Sequence, residues 1–450
     1  MHIEALYHYP IKSLRGISLP TATLTPRGLP HDRTFMLLRD HGPGTKHWKS
    51  GTRYENMHVS GFPQLCLFIT AIVRAVPDFL PVDDAAGGGE ANGPPNPADR
   101  DPEDCIRITH TDPTTSHTSH LLIPLVPSVE QLNLPRIFIR MHQSPTLAYA
   151  MPAPLSAWFS RILGFDVVLA YLGDGGNSRP RPVLGNIAPD AVGVNVERQA
   201  RLEALRQQRT AKEGVGSWLG GMLTAVVPTS LRPSTDTTTT TDSAADSDPA
   251  PPDAQDAASL AEARALHPAY SLGFADCAAY LLCTSASLED VRGRLTAPEG
   301  KALDMMRFRP NIVVSGVEGA WEEDYWGEVR IAPSSSSAGK GGGEGEDGEV
   351  QGATLQLTAN CVRCTSLNVN YATGGQDGKV LKSLQKDRRV DRGMKYEPVF
   401  GRYGFLGDSG EEGVKVRVGD PVEVTKKNSE HSRMRWPGMQ GAPKDEWFSV

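Results

Sequence analysis

The sequence predicts a β-rich α+β fold, and two observations support that prediction. Short runs of apolar or alternating residues recur along the chain and are separated by Gly, Pro and Asp. Short strands at such spacing are typical of barrels and sandwiches. Apolar residues at helical spacing are confined to two later segments. We therefore expect a core built mainly of strands, with a few helices.

The predicted strands form two groups along the chain. Each is an alternating or continuously apolar run, the pattern of a half-buried or fully buried strand. The first group comprises residues 3–9, 18–24, 34–39, 65–73 and 106–108. The second comprises residues 312–315, 329–331, 354–357 and 414–418, with a closing strand at 421–424.

Two helices are predicted between these groups. The first covers residues 155–163 and ends at Gly164, a frequent C-cap residue. The second covers residues 287–295 and begins with Ser287 as its N-cap. Acidic residues in its first turn favour the helix electrostatically.

Three stretches are unsuited to a packed core. Residues 81–100 are rich in Gly, Pro and Asn, residues 208–257 contain a threonine run, and residues 333–349 are Ser-rich and then Gly/Glu-rich. Such segments bury too little apolar surface to offset the chain entropy lost on ordering. We expect them to be disordered inserts.

Charge and cysteine content exclude several classes of protein. The chain has 450 residues, a formal net charge of −7 and a hydrophobic fraction of 39%. An acidic chain argues against nucleic-acid binding. Its six cysteines are too scattered for a disulfide framework, which favours a reducing compartment. The sequence shows neither a signal-peptide nor a presequence pattern, and no apolar run approaches the ~20 residues of a membrane helix. We therefore expect a cytoplasmic protein without a membrane span.

The chemistry of the chain is concentrated in Asn360-Cys361-Val362-Arg363-Cys364-Thr365. A thiolate beside a guanidinium suits a soft metal carried on an anionic scaffold. An arginine block around Arg307 and Arg309 and a basic N-terminal cluster add weight to this interpretation. Two other interpretations of the segment remain open. It could be half of a zinc site, although no second Cys/His pair lies at ribbon spacing. It could also be a redox Cys-x-x-Cys, although the βαβ setting of such motifs is absent from the sequence pattern.

Several separate motifs, taken in order, resemble the MOSC family. The N-terminal ones resemble its opening β-barrel module: Tyr9-Pro10-Ile11-Lys12-Ser13-Leu14-Arg15-Gly16, Arg27-Gly28-Leu29 and Asp32-Arg33-Thr34-Phe35-Met36. The later ones resemble the MOSC domain: Arg309-Pro310-Asn311, Glu322-Glu323-Asp324-Tyr325-Trp326 and Cys361-Val362-Arg363-Cys364. We interpret the acidic cluster as a strand-entry turn, because nothing near it in the sequence predicts a shifted pKa. Within the family, the chain is similar to the amidoxime-reducing component group of molybdenum enzymes.

The resemblance implies an architecture and a domain division. It implies a MOSC-type β-barrel core preceded by an N-terminal β-barrel module. The module would cover residues 1–140, the MOSC domain residues 141–425 with two of the inserts, and a C-terminal tail residues 426–450.

The resemblance also implies site residues for a molybdenum cofactor. Cys364 would be the metal ligand and catalytic residue, with Cys361 a structural or accessory thiol. A dianionic phosphate is best bound by charge-assisted donors together with neutral hydrogen-bonding groups. The residues expected around the pterin and its phosphate are Lys12, Ser13, Arg33, Arg309, Asn311 and Arg363, and Asp276 and Tyr403 are further cofactor-side residues.

The implied activity is reduction of N-hydroxylated small molecules by oxygen-atom transfer. Electrons would come from a separate donor, and the resemblance implies a b-type cytochrome and its reductase. The family also carries an association with pyridoxal phosphate binding. Departures from the family pattern at Cys277, Ala278 and Val362 remove side-chain hydrogen bonds. A non-catalytic carrier or sensor of the molybdenum cofactor, or a metal-free redox thiol protein, therefore stays open.

Overall fold

The computed structural model describes residues 1–47, 51–75, 103–141, 144–173, 181–182, 271–332, 352–407 and 413–434. The three stretches predicted to be disordered inserts lie outside these residues, as does most of the predicted C-terminal tail. Among the described residues, no helix is long and apolar enough to cross a bilayer.

The predicted β-rich α+β architecture is confirmed. The α-helices of the described residues are α1 Ala153–Leu163, α2 Ser285–Gly293, α3 Ala297–Ala302 and α4 Lys379–Gln385. The strands are β1 His2–His8, β2 Ile17–Leu19, β3 Thr21–Leu24, β4 Phe35–Asp40, β5 Tyr54–Asn56, β6 Ile69–Ala75, β7 Glu103–Thr111, β8 Thr118–Pro124, β9 Arg136–Met141, β10 Ser144–Ala150, β11 Val167–Tyr171, β12 Arg181–Pro182, β13 Ser271–Leu272, β14 Tyr280–Thr284, β15 Ile312–Ser315, β16 Trp326–Ile331, β17 Ala353–Val362, β18 Val399–Leu406, β19 Val414–Arg417 and β20 Val422–Lys427.

The largest sheet joins the first residues of the chain to its last strands. Its order is β2-β1-β15-β14-β18-β17-β16-β20, and β1 pairs antiparallel with β15 so that Leu6 lies opposite Ile312. A bridge between His2 and Pro421 and a hydrogen bond of 3.0 Å from Ile3 N to Asp420 O connect β1 to the start of β20. The sheet is therefore nearly closed as a barrel.

Alternation along the barrel strands separates two apolar clusters. Ile312 and Val314 pack in one cluster with Trp326, whereas Val313, between them, packs in another cluster with Leu288 of α2. Successive side chains of a strand point to opposite faces, so one strand contributes to both clusters. The barrel thus has its own core and a second core beneath the helices.

A second group of strands forms the N-terminal module. The sheets β5-β4-β11-β10-β9 and β6-β7-β8 pack, together with α1, around a core that includes Phe35, Phe68, Ile108 and Phe159. The domain boundary expected at residue 140 falls within the β9–β10 hairpin. The domain bounds themselves remain a prediction.

Several predicted elements differ in detail. The strand expected at 18–24 is divided at Pro20, which has no N–H to donate, so β2 pairs with β1 and β3 with β19. The strand expected at 65–73 begins as the 3₁₀ turn Pro63–Leu67 and continues as β6.

The predicted ends of the two helices had different outcomes. Helix α1 ends at Gly164 in the left-handed conformation, as predicted (φ 78°). The N-cap of α2 is Thr284, whose side chain accepts a hydrogen bond from Ser287 N. The prediction of Ser287 as the cap was therefore wrong.

The acidic cluster forms the expected turn but contains an unexpected carboxyl. The 3₁₀ turn Glu322–Tyr325 leads directly into β16. Glu323 is completely buried and accepts a hydrogen bond of 3.0 Å from Thr284 Oγ1. Burial, with the neighbouring charge of Asp324, raises the pKa of Glu323 to about 7. The sequence around the cluster gave no signal for this raised pKa.

Replacing Glu323 should change how stability depends on pH. The Glu323 carboxyl binds its proton more tightly in the folded protein than in the unfolded chain. The protonated carboxyl therefore stabilises the folded state fully below pH 4.5, and this stabilisation is lost as the pH rises through about 7. Glu323→Gln should therefore unfold like the parent near pH 4. Near pH 8 the variant should be more stable, by at most about 3 kcal/mol. Urea unfolding across this pH range measures the difference, and a difference that does not change with pH would contradict the assignment.

Candidate cofactor pocket

One pocket lies where the N-terminal module meets the MOSC-like barrel. It has a volume of about 270 Å³ and is lined by segments from both parts of the chain. The structure brings together in it all nine residues that the sequence singled out: Lys12, Ser13, Arg33, Asp276, Arg309, Asn311, Arg363, Cys364 and Tyr403. Their positions along the chain span almost 400 residues, so the folded chain alone creates this neighbourhood. Their individual roles remain predictions.

Cys364 is the accessible thiol of the pocket. It follows the end of β17 and precedes the 3₁₀ turn Thr365–Asn368, with extended backbone angles. Cys364 is exposed, whereas the other five cysteines are buried. Its Sγ lies 3.2 Å from Ser366 Oγ. Because the Cys364 thiol is exposed and lines the pocket, a metal ion can reach it.

Arg363 ties the Cys-x-x-Cys segment to the neighbouring wall. Its Nη1 donates to Cys361 Sγ at 2.8 Å, and its Nη2 donates to Phe308 O at 2.8 Å. The guanidinium is buried, and its Nε has no hydrogen-bond partner among the described residues. Cys361 is thus already engaged by protein, which distinguishes it from Cys364.

Two further arginines pack against the ring of Tyr9. The guanidinium carbons of Arg33 and Arg309 lie 4.6 Å and 4.4 Å from the ring centroid. Arg33 pairs with Asp32 and donates to Arg309 O at 3.2 Å. Arg309 Nη1 donates to Leu14 O at 2.7 Å, whereas its buried Nη2 has no hydrogen-bond partner among the described residues. The pocket wall therefore contains an unsatisfied cationic donor.

The backbone beneath these side chains is strained. Ser13, Arg33 and Arg309 all have positive φ angles, 71°, 52° and 59°. This left-handed conformation is uncommon for residues other than glycine and costs on the order of 1 kcal/mol or more at each position. Three such residues lining one pocket indicate a functional site, since strain persists where the surrounding structure enforces it.

Lys12 and Asp276 form an ion pair that also lines the pocket. Lys12 Nζ donates to Phe274 O at 2.9 Å and to Asp276 Oδ1 at 2.5 Å. The Lys12 side chain is only 5% exposed, while that of Asp276 is 52% exposed. The lysine is therefore fixed behind a carboxylate that reaches solvent. A carboxylate in this position can accept hydrogen bonds from ring N–H groups of a ligand.

Asn311 and Ser13 hold other protein groups. Asn311 is almost completely buried, and its Oδ1 accepts from Leu281 N at 3.3 Å and from Arg33 Nη1 at 3.4 Å. The Ser13 hydroxyl donates to Met57 O at 3.0 Å. These contacts position Arg33 and the neighbouring loop.

Tyr403 completes the wall next to the cysteines. It is partly buried in the cluster that includes Cys361 and Phe308. Desolvation, together with nearby Cys277 and Cys361, raises the pKa of the Tyr403 hydroxyl well above its ordinary value. The hydroxyl is therefore neutral at physiological pH and can act as a hydrogen-bond donor.

Comparison with known proteins agrees with this arrangement. Residues 1–115 match the family model described as the MOSC N-terminal beta barrel domain, and residues 269–423 match the MOSC domain. The chain is a MOSC-domain protein. Both matches include pocket-lining residues, so the pocket of this MOSC protein is built from its two family domains.

Similar curated proteins match mainly over one part of this MOSC protein. It is 35% identical to mitochondrial amidoxime reducing component 2 of Rattus norvegicus over 158 residues, which is 34% of this chain and 38% of that protein. It is 33% identical to mitochondrial amidoxime-reducing component 1 of Mus musculus over 156 residues, again 34% of this chain and 38% of the relative. It is 30% identical to molybdenum cofactor sulfurase of Oryza sativa subsp. japonica over 119 residues, 25% of this chain and 12% of that protein. The matched stretch spans well under half the length of these relatives.

Sequence reasoning assigned no role to several residues that line the pocket or contact its lining arginines. Tyr9 and Asp32 were quoted only as parts of motifs, yet Tyr9 separates two arginines and Asp32 pairs with one of them. The pocket is also lined by His58, Ser60, Phe308 and Ser366. The adjacency of Asp32 and Arg33 was an available signal, because an acidic neighbour is expected for a buried guanidinium. His58 and Ser60 carried no local signal.

Two substitutions at Tyr9 should separate the ring from its hydroxyl. Tyr9 is fully buried, and its hydroxyl has no hydrogen-bond partner among the described residues. Tyr9→Phe keeps both cation–π contacts, so the free energy of unfolding should change by less than about 0.5–1 kcal/mol. Tyr9→Leu removes both contacts and much ring volume, and should lower it by about 2–4 kcal/mol. Denaturant unfolding of the two variants measures this, and equal losses would show that the ring does not hold the arginines.

Proposed function

We propose that this MOSC protein binds the molybdenum cofactor in the pocket and reduces N-hydroxylated compounds. The observation that carries the proposal is the convergence of an accessible thiol, three arginines and an ion-paired lysine on one cavity. A soft metal prefers thiolate, and a phosphate prefers arginine. Two family domains whose relatives are named for amidoxime reduction and for the molybdenum cofactor support the same conclusion.

The donor set fits the cofactor chemically. Arg309 Nη2 and Arg363 Nε are buried guanidinium nitrogens without hydrogen-bond partners among the described residues. Leaving a buried charged donor unpaired is unfavourable, so an anionic ligand would satisfy it. Asp276 offers a carboxylate to ring N–H groups, and Tyr403 offers a neutral hydroxyl. Cys364 remains accessible for the metal.

Each residue then has a separable role. Cys364 would hold the metal, and Arg363 would supply positive charge beside it. Arg309 and Arg33, fixed by Tyr9 and Asp32, would bind the phosphate. Lys12 would position Asp276 through their ion pair. When bound, the cofactor would supply two-electron oxygen-atom transfer to its metal, and the protein would supply binding, orientation and positive potential.

Electrons would come from a separate donor. The sequence contains neither a Cys-x-x-Cys-His haem motif nor a strand-linked Gly-x-Gly-x-x-Gly. A b-type cytochrome with its reductase is the donor that we propose. The exposure of Cys364 supports the idea that substrate reaches the metal from solvent.

Two other functions would use the same pocket differently. A carrier or sensor would bind the cofactor without turnover, and the same cationic wall would serve it. Pyridoxal phosphate chemistry requires a lysine amine that can form a Schiff base. Lys12, the lysine that lines the pocket, is held by Asp276 and Phe274 O. The pocket therefore favours the molybdenum cofactor.

The Cys-x-x-Cys segment provides the decisive test. Cys364→Ser should abolish molybdenum binding and amidoxime reduction, because the soft ligand is replaced by a hard oxygen. Cys361→Ser should retain metal but lower affinity, by about 10–100-fold, because it disturbs Arg363. Cys105→Ala, on the distant strand β7, serves as the matched control and should keep both properties. Metal and pterin content of protein from cells that make the cofactor, and turnover with an artificial electron donor, are the measurements.

The outcomes separate the proposed functions. Metal and turnover that are lost together in Cys364→Ser support the reductase. A parent protein that binds the cofactor but never reduces an amidoxime would favour the carrier. A parent protein without molybdenum or pterin would overturn cofactor binding altogether.

A further inference from the structure

A second cluster of metal-binding side chains lies outside the pocket, in the loop between β4 and β5. Within the described residues, the ligand atoms of His41, His47 and Glu55 all lie within 4.8 Å of one another. His41 Nε2 is 3.1 Å from Glu55 Oε2, and His47 Nε2 is 3.5 Å from Glu55 Oε1. Each histidine therefore contacts a different oxygen of one carboxylate.

The three side chains are sheltered but reachable. Their side-chain exposures are 27% for His41, 11% for His47 and 24% for Glu55. The two imidazole rings stack with centroids 5.2 Å apart and an interplanar angle of 18°. The shared Glu55 carboxylate and the ring stacking hold both histidines in defined orientations, which freely solvated side chains would not keep.

Hydrogen bonds hold the described residues of the loop that carries the cluster. Arg53 donates to both carboxylate oxygens of Asp40 at 2.5 Å, which closes the base of the loop. His41 N donates to Arg53 O at 3.2 Å, and His47 N donates to Thr52 O at 2.7 Å. The positive φ angles at Gly42, Gly44 and Gly51 allow the turns between these bonds. The ligands are thus held in place before any ion arrives.

We propose that His41, His47 and Glu55 bind a divalent transition-metal ion of the zinc class. Two imidazoles and a carboxylate form a donor set that Zn²⁺ accepts, with a fourth position left for water. Oxygen-seeking Mg²⁺ and Ca²⁺ do not fit a set with two nitrogen ligands. This site is separate from the cofactor pocket and does not depend on the proposed reductase activity.

The ion would link His41 and His47, which precede strand β5, to Glu55 on that strand. Glu55 lies on β5, and the chain continues from this strand to His58, Val59 and Ser60, which line the cofactor pocket. Ser13 Oγ donates to Met57 O within the same stretch. A bound ion would therefore stabilise the segment that forms one wall of the pocket.

The experiment measures zinc binding directly. The full chain carrying Cys364→Ser removes the accessible thiol as a competing zinc ligand, and zinc is measured after equilibrium dialysis. Cobalt substitution adds the visible ligand-field spectrum of a nitrogen- and oxygen-ligated ion. In this background His41→Ala, His47→Ala and the conservative Glu55→Gln are compared. His117→Ala, an exposed histidine in the β7–β8 hairpin, is the matched control.

The expected result is one zinc ion per chain in the background protein and in His117→Ala. Each variant of the cluster should weaken zinc binding at least about tenfold and lose the cobalt spectrum. Zinc should also raise the melting temperature of the background protein but not of Glu55→Gln, whose fold is checked by circular dichroism. Equal zinc binding by all variants, or no zinc binding by the background protein, would overturn the proposal. The three side chains would then be a hydrogen-bonded cluster that does not bind metal. Molybdenum content of the parent is unaffected by either outcome, so the two proposals fail independently.

Discussion

The pairing of β1 with β15 is the constraint on which the rest of the structure depends. It places the first strand of the chain in the same sheet as strands that follow it by about 300 residues, with Tyr7 N donating to Asn311 O at 2.9 Å. Because Tyr9 and Lys12 follow β1 directly and Arg309 precedes β15, this register brings two basic motifs to one end of the barrel. The N-terminal module cannot be removed without also removing a barrel strand. The pocket is therefore a consequence of the barrel's topology.

Gathering four cations into one wall is unfavourable unless each is neutralised. Asp32 neutralises Arg33, Asp276 neutralises Lys12, and the ring of Tyr9 contacts both Arg33 and Arg309. Arg309 and Arg363 nevertheless keep buried nitrogens without hydrogen-bond partners among the described residues. The protein thus holds a charge network that it does not complete by itself. A ligand that completes it would stabilise the folded state by mass action, so ligand affinity and stability are coupled at this site.

The sequence predicted the fold class and the members of the pocket better than their roles. Alternating apolar runs identified most strands, because alternation reports burial directly. The split at Pro20 separates β2, which pairs with β1, from β3, which pairs with β19 near the end of the chain, and local patterns do not contain that distant partner. The cap at Thr284 is a local contact with Ser287 that the sequence pattern placed three residues too late. The burial of Glu323 was missed because its carboxyl accepts a hydrogen bond from Thr284, which lies 39 positions earlier in the chain. Asn311 and Ser13 were expected to contact a ligand, but only the folded structure reveals that they hold Arg33 and Met57.

The geometry of a strand end accounts for the different environments of the two motif cysteines. Arg363 is the first residue after β17, and its guanidinium donates to the Cys361 sulfur at 2.8 Å. Strand β17 ends at Val362, and Cys364 follows beyond the sheet, where it is exposed. One four-residue segment therefore supplies both a buried thiol that fixes a guanidinium and an accessible thiol beside it. A closed tetrahedral zinc site needs all its ligands to converge on one point, whereas here the buried Cys361 is engaged by Arg363 and Cys364 is exposed.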